Sequence, residues 1–320
     1  MIPATAAPRR FRLQVHVPGI AWKTIVLRHA REHAWAAAGL LVAATVSLWL
    51  LLQSLANLLE TGGGAGVSMA LWGGTAGFAA TAIGALPALA MRGLPQAIED
   101  SLLGFAAGMM LAASAFSLLL PSLESASALL GEGPGAGLVV VLGIALGVML
   151  MLGLDAFTPH EHDKTGPCGP GHAYCGRIWL FVFAIALHNL PEGMAIGVAF
   201  SQGDLSVGLP VAAAISLQDI PEGLAVALAM RAAGFPAGRS VAVAVASGLM
   251  EPVGALLGVG LSSGFALAYP IGLALAAGAM VFVVSHEVIP ETHRNGHQTP
   301  ATLGLMAGFA LMMFLDTSLG

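Results

Sequence analysis

Charge is what this chain of 320 residues has least of. Asp, Glu, Lys and Arg make up 9% of it while 57% is hydrophobic; a soluble domain typically carries about a quarter charged residues. The shortage excludes an ordinary soluble globule and points to a polytopic membrane protein. Cysteine is scarce too: Cys168 and Cys175 are the only two, both in the polar loop 156–176. On the cytoplasmic side, where the topology below puts that loop, thiols stay reduced, which excludes a disulfide. No secretory signal is expected, since residues 1–33 are too polar to hold its apolar core.

What is abundant is apolar length. Nine stretches stand out, at 34–59, 66–91, 98–121, 134–155, 177–200, 206–230, 237–262, 266–291 and 300–319. Each holds about 20 or more residues, enough to cross a hydrocarbon core of ~30 Å. Arg9, Arg10, Arg12, Lys23, Arg28 and Arg31 precede the first stretch; Arg92, Lys164, Arg177, Arg231, Arg239 and Arg294 fall in alternate loops. All twelve basic residues therefore lie on one side. By the positive-inside rule that side is cytoplasmic, with the N-terminus in and the C-terminus out. The other face carries Glu60, Glu124, Glu132 and Asp204, with Asp316 near the outer end of the last stretch. These acids either concentrate cations at an outer mouth or keep loops soluble. Glycine pairs four apart, Gly73/Gly77, Gly104/Gly108, Gly143/Gly147, Gly193/Gly197, Gly254/Gly258 and Gly304/Gly308, have the spacing of close helix packing.

One segment occurs twice. His188-Asn-Leu-Pro-Glu-Gly-Met-Ala-Ile-Gly-Val-Ala199 returns 30 residues later as Gln218-Asp-Ile-Pro-Glu-Gly-Leu-Ala-Val-Ala-Leu-Ala229. Each copy sits in the middle of an apolar stretch, where a carboxylate is costly unless compensated. His188 and Glu192 are four apart and share a helix face, with Asn189 beside them; Gln218, Asp219 and Glu222 repeat the pattern. Glu251 and Met110 fall at the centres of two further stretches. Imidazole, carboxylates, amides and a thioether suit a divalent ion such as Zn2+, with Fe2+, Mn2+ and Cd2+ as competitors. Pro191 and Pro221 lack an N–H, so the carbonyls of Leu187 and Leu217 lose their helical partner and the helix is expected to open there. Two such helices of opposite direction fit an inverted-repeat transporter with its site where the repeats meet.

The paired His188-Asn-x-Pro-Glu-Gly and Gln218-Asp-x-Pro-Glu-Gly resembles the signature of the Zrt/Irt-like (ZIP) metal transporters in their bacterial form. The resemblance covers about residues 66–319. It implies an all-α polytopic fold with an eight-helix core of inverted repeats in a 3+2+3 arrangement, in a bacterial inner membrane. It implies uptake of Zn2+ and related ions through a binuclear site. One ion would use Met110, His188, Glu192, Gln218 and Glu222; the second would use Asn189, Glu192, Asp219, Glu222 and Glu251. An elevator-like movement of the metal-bearing helices has been proposed for this family. The chain departs from it at Gln218, where many members have histidine, and by the extra span at 34–59. It then divides into a basic N-terminal segment (1–33), the extra helix (34–59), three core helices (66–155), the loop (156–176), the metal-binding pair (177–230) and three last core helices (237–319).

Smaller signals complete the reading. The loop 156–176 holds His160, Glu161, His162, Asp163, Cys168, His172 and Cys175, a composition suited to collecting metal or to a solvated linker. Ser285-His286-Glu287 and then Glu291, His293 and His297 run toward the cytoplasm, either as an exit route or as a polar helix end. The basic segment 1–33, with Phe11 and Trp22, fits either the anionic inner leaflet or a disordered tail. Expected partners are divalent ions, the bilayer and, as an open alternative, a second copy in a homodimer; nucleic acid is not expected. An intramembrane metallopeptidase is disfavoured because Pro290 stands where the second histidine of H-E-x-x-H belongs. A proton/cation antiporter leaves the imidazole and amides without a role. No enzyme activity and no catalytic cofactor are expected.

Overall fold

A computed structural model describes residues 22–61, 65–91, 93–157, 160–162, 166–168, 177–232, 234–262, 264–293 and 295–319. Some side chains inside these ranges, those of His160, His162 and His188 among them, lie outside the described set. The helices are α1 (Trp22–Glu32), α2 (Ala34–Thr61), α3 (Ala65–Ala85), α4 (Gln96–Ala112), α5 (Leu120–Leu130), α6 (Pro134–Phe157), α7 (Arg177–Phe200), α8 (Leu205–Ala232), α9 (Ala237–Ser247), α10 (Met250–Ser262), α11 (Ala268–Val283), α12 (Ile289–Thr292) and α13 (Gln298–Leu319). Hydrocarbon offers no hydrogen bonds, so an apolar chain crossing it must pair its own backbone, and the helix does this within one segment.

Among the described residues, seven helical stretches are long and apolar enough to cross a membrane: Ala65–Leu89, Gln96–Leu130, Pro134–Phe157, Leu205–Arg231, Ala237–Ser262, Ala268–Thr292 and Gln298–Ser318. The 28-residue α2 and the 24-residue α7 cover the two remaining apolar stretches of the sequence. Several crossings are interrupted. A 3-10 turn at Leu86–Leu89 ends the first. π-helical turns at Ala113–Leu119 and Val284–Val288 join α4 to α5 and α11 to α12, each just before a proline, Pro121 and Pro290. At Ser247–Gly248–Leu249 the chain steps from α9 to α10.

The expected opening at Pro191 and Pro221 is corrected: α7 and α8 continue as helices through both. A proline in a membrane helix removes one N–H, and surrounding helices hold the backbone in place. The loop after α6 also differs from expectation, because β1 (His160–His162) pairs antiparallel with β2 (Gly166–Cys168) and lies against α7.

Helix packing forms two sets. In one, α3 packs on α8, α10 on α7, and α3 on α10; in the other, α4 packs on α13 and α6 on α11. Glycines set these approaches. A methyl group on Gly104 or Gly108 of α4 would meet the carbonyl of Ala301 or Leu305 of α13, and one on Gly304 or Gly308 would meet that of Ser101 or Phe105. Gly193 and Gly197 of α7 interlock with Gly254 and Gly258 of α10 in the same way. Without a hydrophobic drive between helices in lipid, this close backbone contact is what holds them together. The extra helix α2 seats Leu40 over Gly153 of α6 and also touches α10. Large apolar side chains left exposed on α6 and α13, such as Leu138, Val141, Leu303 and Phe314, give the molecule a lipid-compatible surface.

Gly108→Val drives a side chain into backbone that cannot move aside and is expected to cost about 1–3 kcal/mol. Thermal unfolding in detergent checks this against Gly137→Ala, where nothing lies within 4 Å and no loss is expected. Equal midpoints for the two variants would contradict the packing assigned to α4 and α13.

Candidate metal centre

The repeated segments become neighbours because α7 and α8 form a hairpin. Gly203, at φ +72°, makes the turn, and its N–H donates to the Phe200 carbonyl at 2.8 Å. Asp204 caps α8, its Oδ1 accepting from the Ser206 hydroxyl at 2.7 Å and the Ser206 amide at 2.8 Å. Those bonds, the hydroxyl's first, hold the Asp204 carboxyl below its usual range. It therefore stays ionised at the positive end of α8.

Inside the hairpin, one ligand atom each from Glu192, Asp219 and Glu222 lie within 4.8 Å of one another. Glu192, Gln218 and Glu251 are fully buried, Asn189 and Asp219 nearly so, and Glu222 is half-buried. The Gln218 amide donates to Glu192 Oε1 at 2.6 Å. Four buried oxygens have no hydrogen-bond donor among the described residues: Glu192 Oε2, Gln218 Oε1, Asp219 Oδ2 and Glu251 Oε2. No Lys or Arg occurs between Arg177 and Arg231. Carboxylates crowded this way, out of water, need protons or a cation to neutralise them.

The match to known proteins decides the family. The family model described as "ZIP Zinc transporter" matches residues 158–316, which include both repeats. The zinc transporter ZIPB of Bordetella bronchiseptica is 64% identical over 291 residues, covering 91% of this chain and 94% of that protein. The chain belongs to the ZIP zinc transporter family. Zinc transporter GufA of Myxococcus xanthus is 44% identical over 257 residues, 80% of this chain and all of its own length. Zinc transporter ZupT of Corynebacterium glutamicum is 35% identical over 244 residues, 73% of this chain and 92% of its own.

Within this ZIP chain the other sequence-predicted residues separate. Met110 is buried in the main apolar cluster with residues of α7 and α8. His188 is on α7 one turn before Glu192, its side chain outside the described set. His286, in the second π turn with Glu287, stacks on Phe282 and has Nε2 3.9 Å from Asp155 Oδ2 at the foot of α6. His160 and His162 are on β1, their side chains also outside the described set. His293 Nδ1 is 3.0 Å from the Ile289 carbonyl, and His297 Nδ1 is 2.8 Å from buried Asp100. Asp316 accepts from Ser117 at 2.6 Å, so this acid ties α13 to the π turn that follows α4.

Two residues beside the site were not read as part of it from sequence. The Thr81 hydroxyl of α3 donates to Glu251 Oε1 at 2.8 Å, with both groups buried. A methyl group on Gly77, one turn earlier, would fall on Glu251 Oε2. Gly73, Gly77 and Thr81 share one face of α3 at spacings of four, a pattern that reads from sequence as packing alone.

Asp219→Asn removes a charge from the crowded set and keeps its shape. In chelator the variant is expected to be more stable than the parent by on the order of 1 kcal/mol, as unit charges at this range repel by a few kcal/mol at an effective dielectric of about 20. Excess Zn2+ should stabilise it less than the parent. Thermal midpoints with EDTA and with Zn2+ measure both; lower stability in EDTA would contradict charge crowding.

Proposed function

We propose that this chain carries Zn2+ and related divalent ions across the membrane into the cytoplasm through the site between α7 and α8. One observation carries the reading: Glu192, Asp219 and Glu222 of the two repeats converge, the first two buried and the third half-buried, with no donor to Glu192 Oε2 or Asp219 Oδ2 among the described residues and no Lys or Arg between Arg177 and Arg231. The names of the relatives, all zinc transporters, support the cargo.

The site is read as binuclear. One ion uses Met110, His188, Glu192, Gln218 and Glu222, and the other uses Asn189, Glu192, Asp219, Glu222 and Glu251. Bridging by Glu192 and Glu222 sets the ions about 3.5–4 Å apart. The core is read as an inverted repeat. Exchanging α3 with α9–α10, α4 with α11, α6 with α13 and α7 with α8 turns each packing pair into another, α3–α8 into α10–α7 and α4–α13 into α11–α6. The two π turns before prolines exchange as well. An elevator-like step is read for the set α3, α7, α8, α9 and α10 against the rest. The set meets its partner where α8 packs on α4 and α7 on α11, through small residues and methionines such as Met109, Ala113, Ala214 and Met312. Small and unbranched side chains present little to interlock when one helix shifts past another. The ions leave past His286 and Glu287 toward His160 and His162, on the side that holds the basic loops. That side is the cytoplasm of a bacterial inner membrane, with the N-terminus in and the C-terminus out.

Glu192→Ala and Glu222→Ala are expected to lose both ions and Zn2+ flux in liposomes, with affinity down by more than about 100-fold, the upper end of what losing a supporting residue costs. Glu251→Ala is expected to keep one ion and part of the flux. Two ions and full flux in Glu222→Ala would overturn the reading.

Protons compete with metal for the same lone pairs. Apparent affinity should therefore fall as pH drops from 7.5 to 5.5, by about tenfold per unit for each proton displaced. Equal affinity at the two pH values would contradict it.

A further inference from the structure

Glu251 reaches the site from α10, and among the described residues no side chain of α10 donates a hydrogen bond to its carboxylate. The orienting group comes from α3. Thr45 and Thr75 spend their hydroxyls on their own helices, at 2.6 Å from the Leu41 and Leu71 carbonyls, the usual fate of threonine in a membrane helix. Thr81 instead crosses to Glu251 Oε1 at 2.8 Å. Its bond uses one oxygen and leaves Oε2 as a buried atom with no donor among the described residues. That oxygen occupies the space a side chain at position 77 would fill. The atom nearest after the Glu251 carboxylate is Asp219 Oδ2, 3.1 Å from where the Gly77 methyl would stand. The hollow at Gly77 is therefore where the carboxylates of α8 and α10 come together.

We propose that α3 completes the second ion position: Thr81 is a positioning residue that turns Glu251 toward Asp219, and Gly77 keeps open the hollow in which the two meet. The number of ions held then depends on two residues that bind no ion themselves. This rests on the binuclear reading above. A side chain at position 77 displaces Glu251, and loss of the Thr81 hydroxyl lets its carboxylate turn; either weakens the second ion while the first keeps its ligands from α4, α7 and α8.

The test is Zn2+ titration of the purified full chain by calorimetry, with elemental analysis of bound metal. The parent is expected to hold two ions. Thr81→Val, of the same shape without the hydroxyl, is expected to hold one tightly and to bind the second about 10–100-fold more weakly, the range for loss of a group that orients a ligand. Thr81→Ser restores the second ion; Gly77→Ala loses it. Should Gly77→Ala fail to fold, the Thr81 pair still decides. Two ions at parental affinity in Thr81→Val would overturn this inference and leave the binuclear reading standing, as would equal loss of both ions. A single ion in the parent would overturn the binuclear reading itself.

Discussion

Negative charge without a built-in partner, held away from water, is the constraint on which the rest of this molecule depends. Glu192, Asp219 and Glu251 are buried and Glu222 half-buried, and no lysine or arginine occurs between Arg177 and Arg231 or between Arg239 and Arg294. A fold that buried a permanent ion pair there would be stable and inert, because a satisfied charge has nothing to exchange. In the proposed function the balancing charge is left to a mobile cation, which makes the same carboxylates a binding site whose occupancy can change. Gln218 limits the cost by donating to Glu192, and Thr81 does so for Glu251. Each bond satisfies one oxygen and leaves the other available.

Small residues follow from this constraint. To bring α3, α7, α8 and α10 close enough for short acidic side chains to meet, their backbones must touch. Gly193 and Gly197 against Gly254 and Gly258 achieve this for α7 and α10. Gly84 and Gly223 do so for α3 and α8, where methyl groups would strike the Ile220 and Thr81 carbonyls. The α4–α13 and α6–α11 pairs use the same device away from the acids, so glycine spacing marks helix contact in general and not the site alone.

Much of this was legible in the sequence because a charged residue in an apolar stretch is conspicuous. The repeat around Pro191 and Pro221 pointed to the paired helices, and the apolar runs fall on observed helices from α2 to α13. Other features left no such mark. The π turns each precede a proline, Pro121 and Pro290, which lacks an N–H for a carbonyl inside the turn, but a proline in an apolar stretch does not by itself announce a longer hydrogen-bond ring. Proline suggested an opened helix, but tertiary packing kept α7 and α8 continuous. Thr81 looked like any other threonine, because its partner lies 170 residues away on another helix. His297 read as part of either an exit route or a polar helix end, and its partner Asp100, 197 residues away, could not be foreseen. A side chain's type is readable in isolation, but its partner is set only by the fold.

Anomalous diffraction from crystals of the unmutated chain soaked in Cd2+ tests the central claim most directly, because it locates cations independently of flux. The account predicts two peaks about 3.5–4 Å apart, between α7 and α8, with Glu192 and Glu222 touching both. The absence of any peak there, or cadmium bound only beside His286 and Asp155, would contradict it.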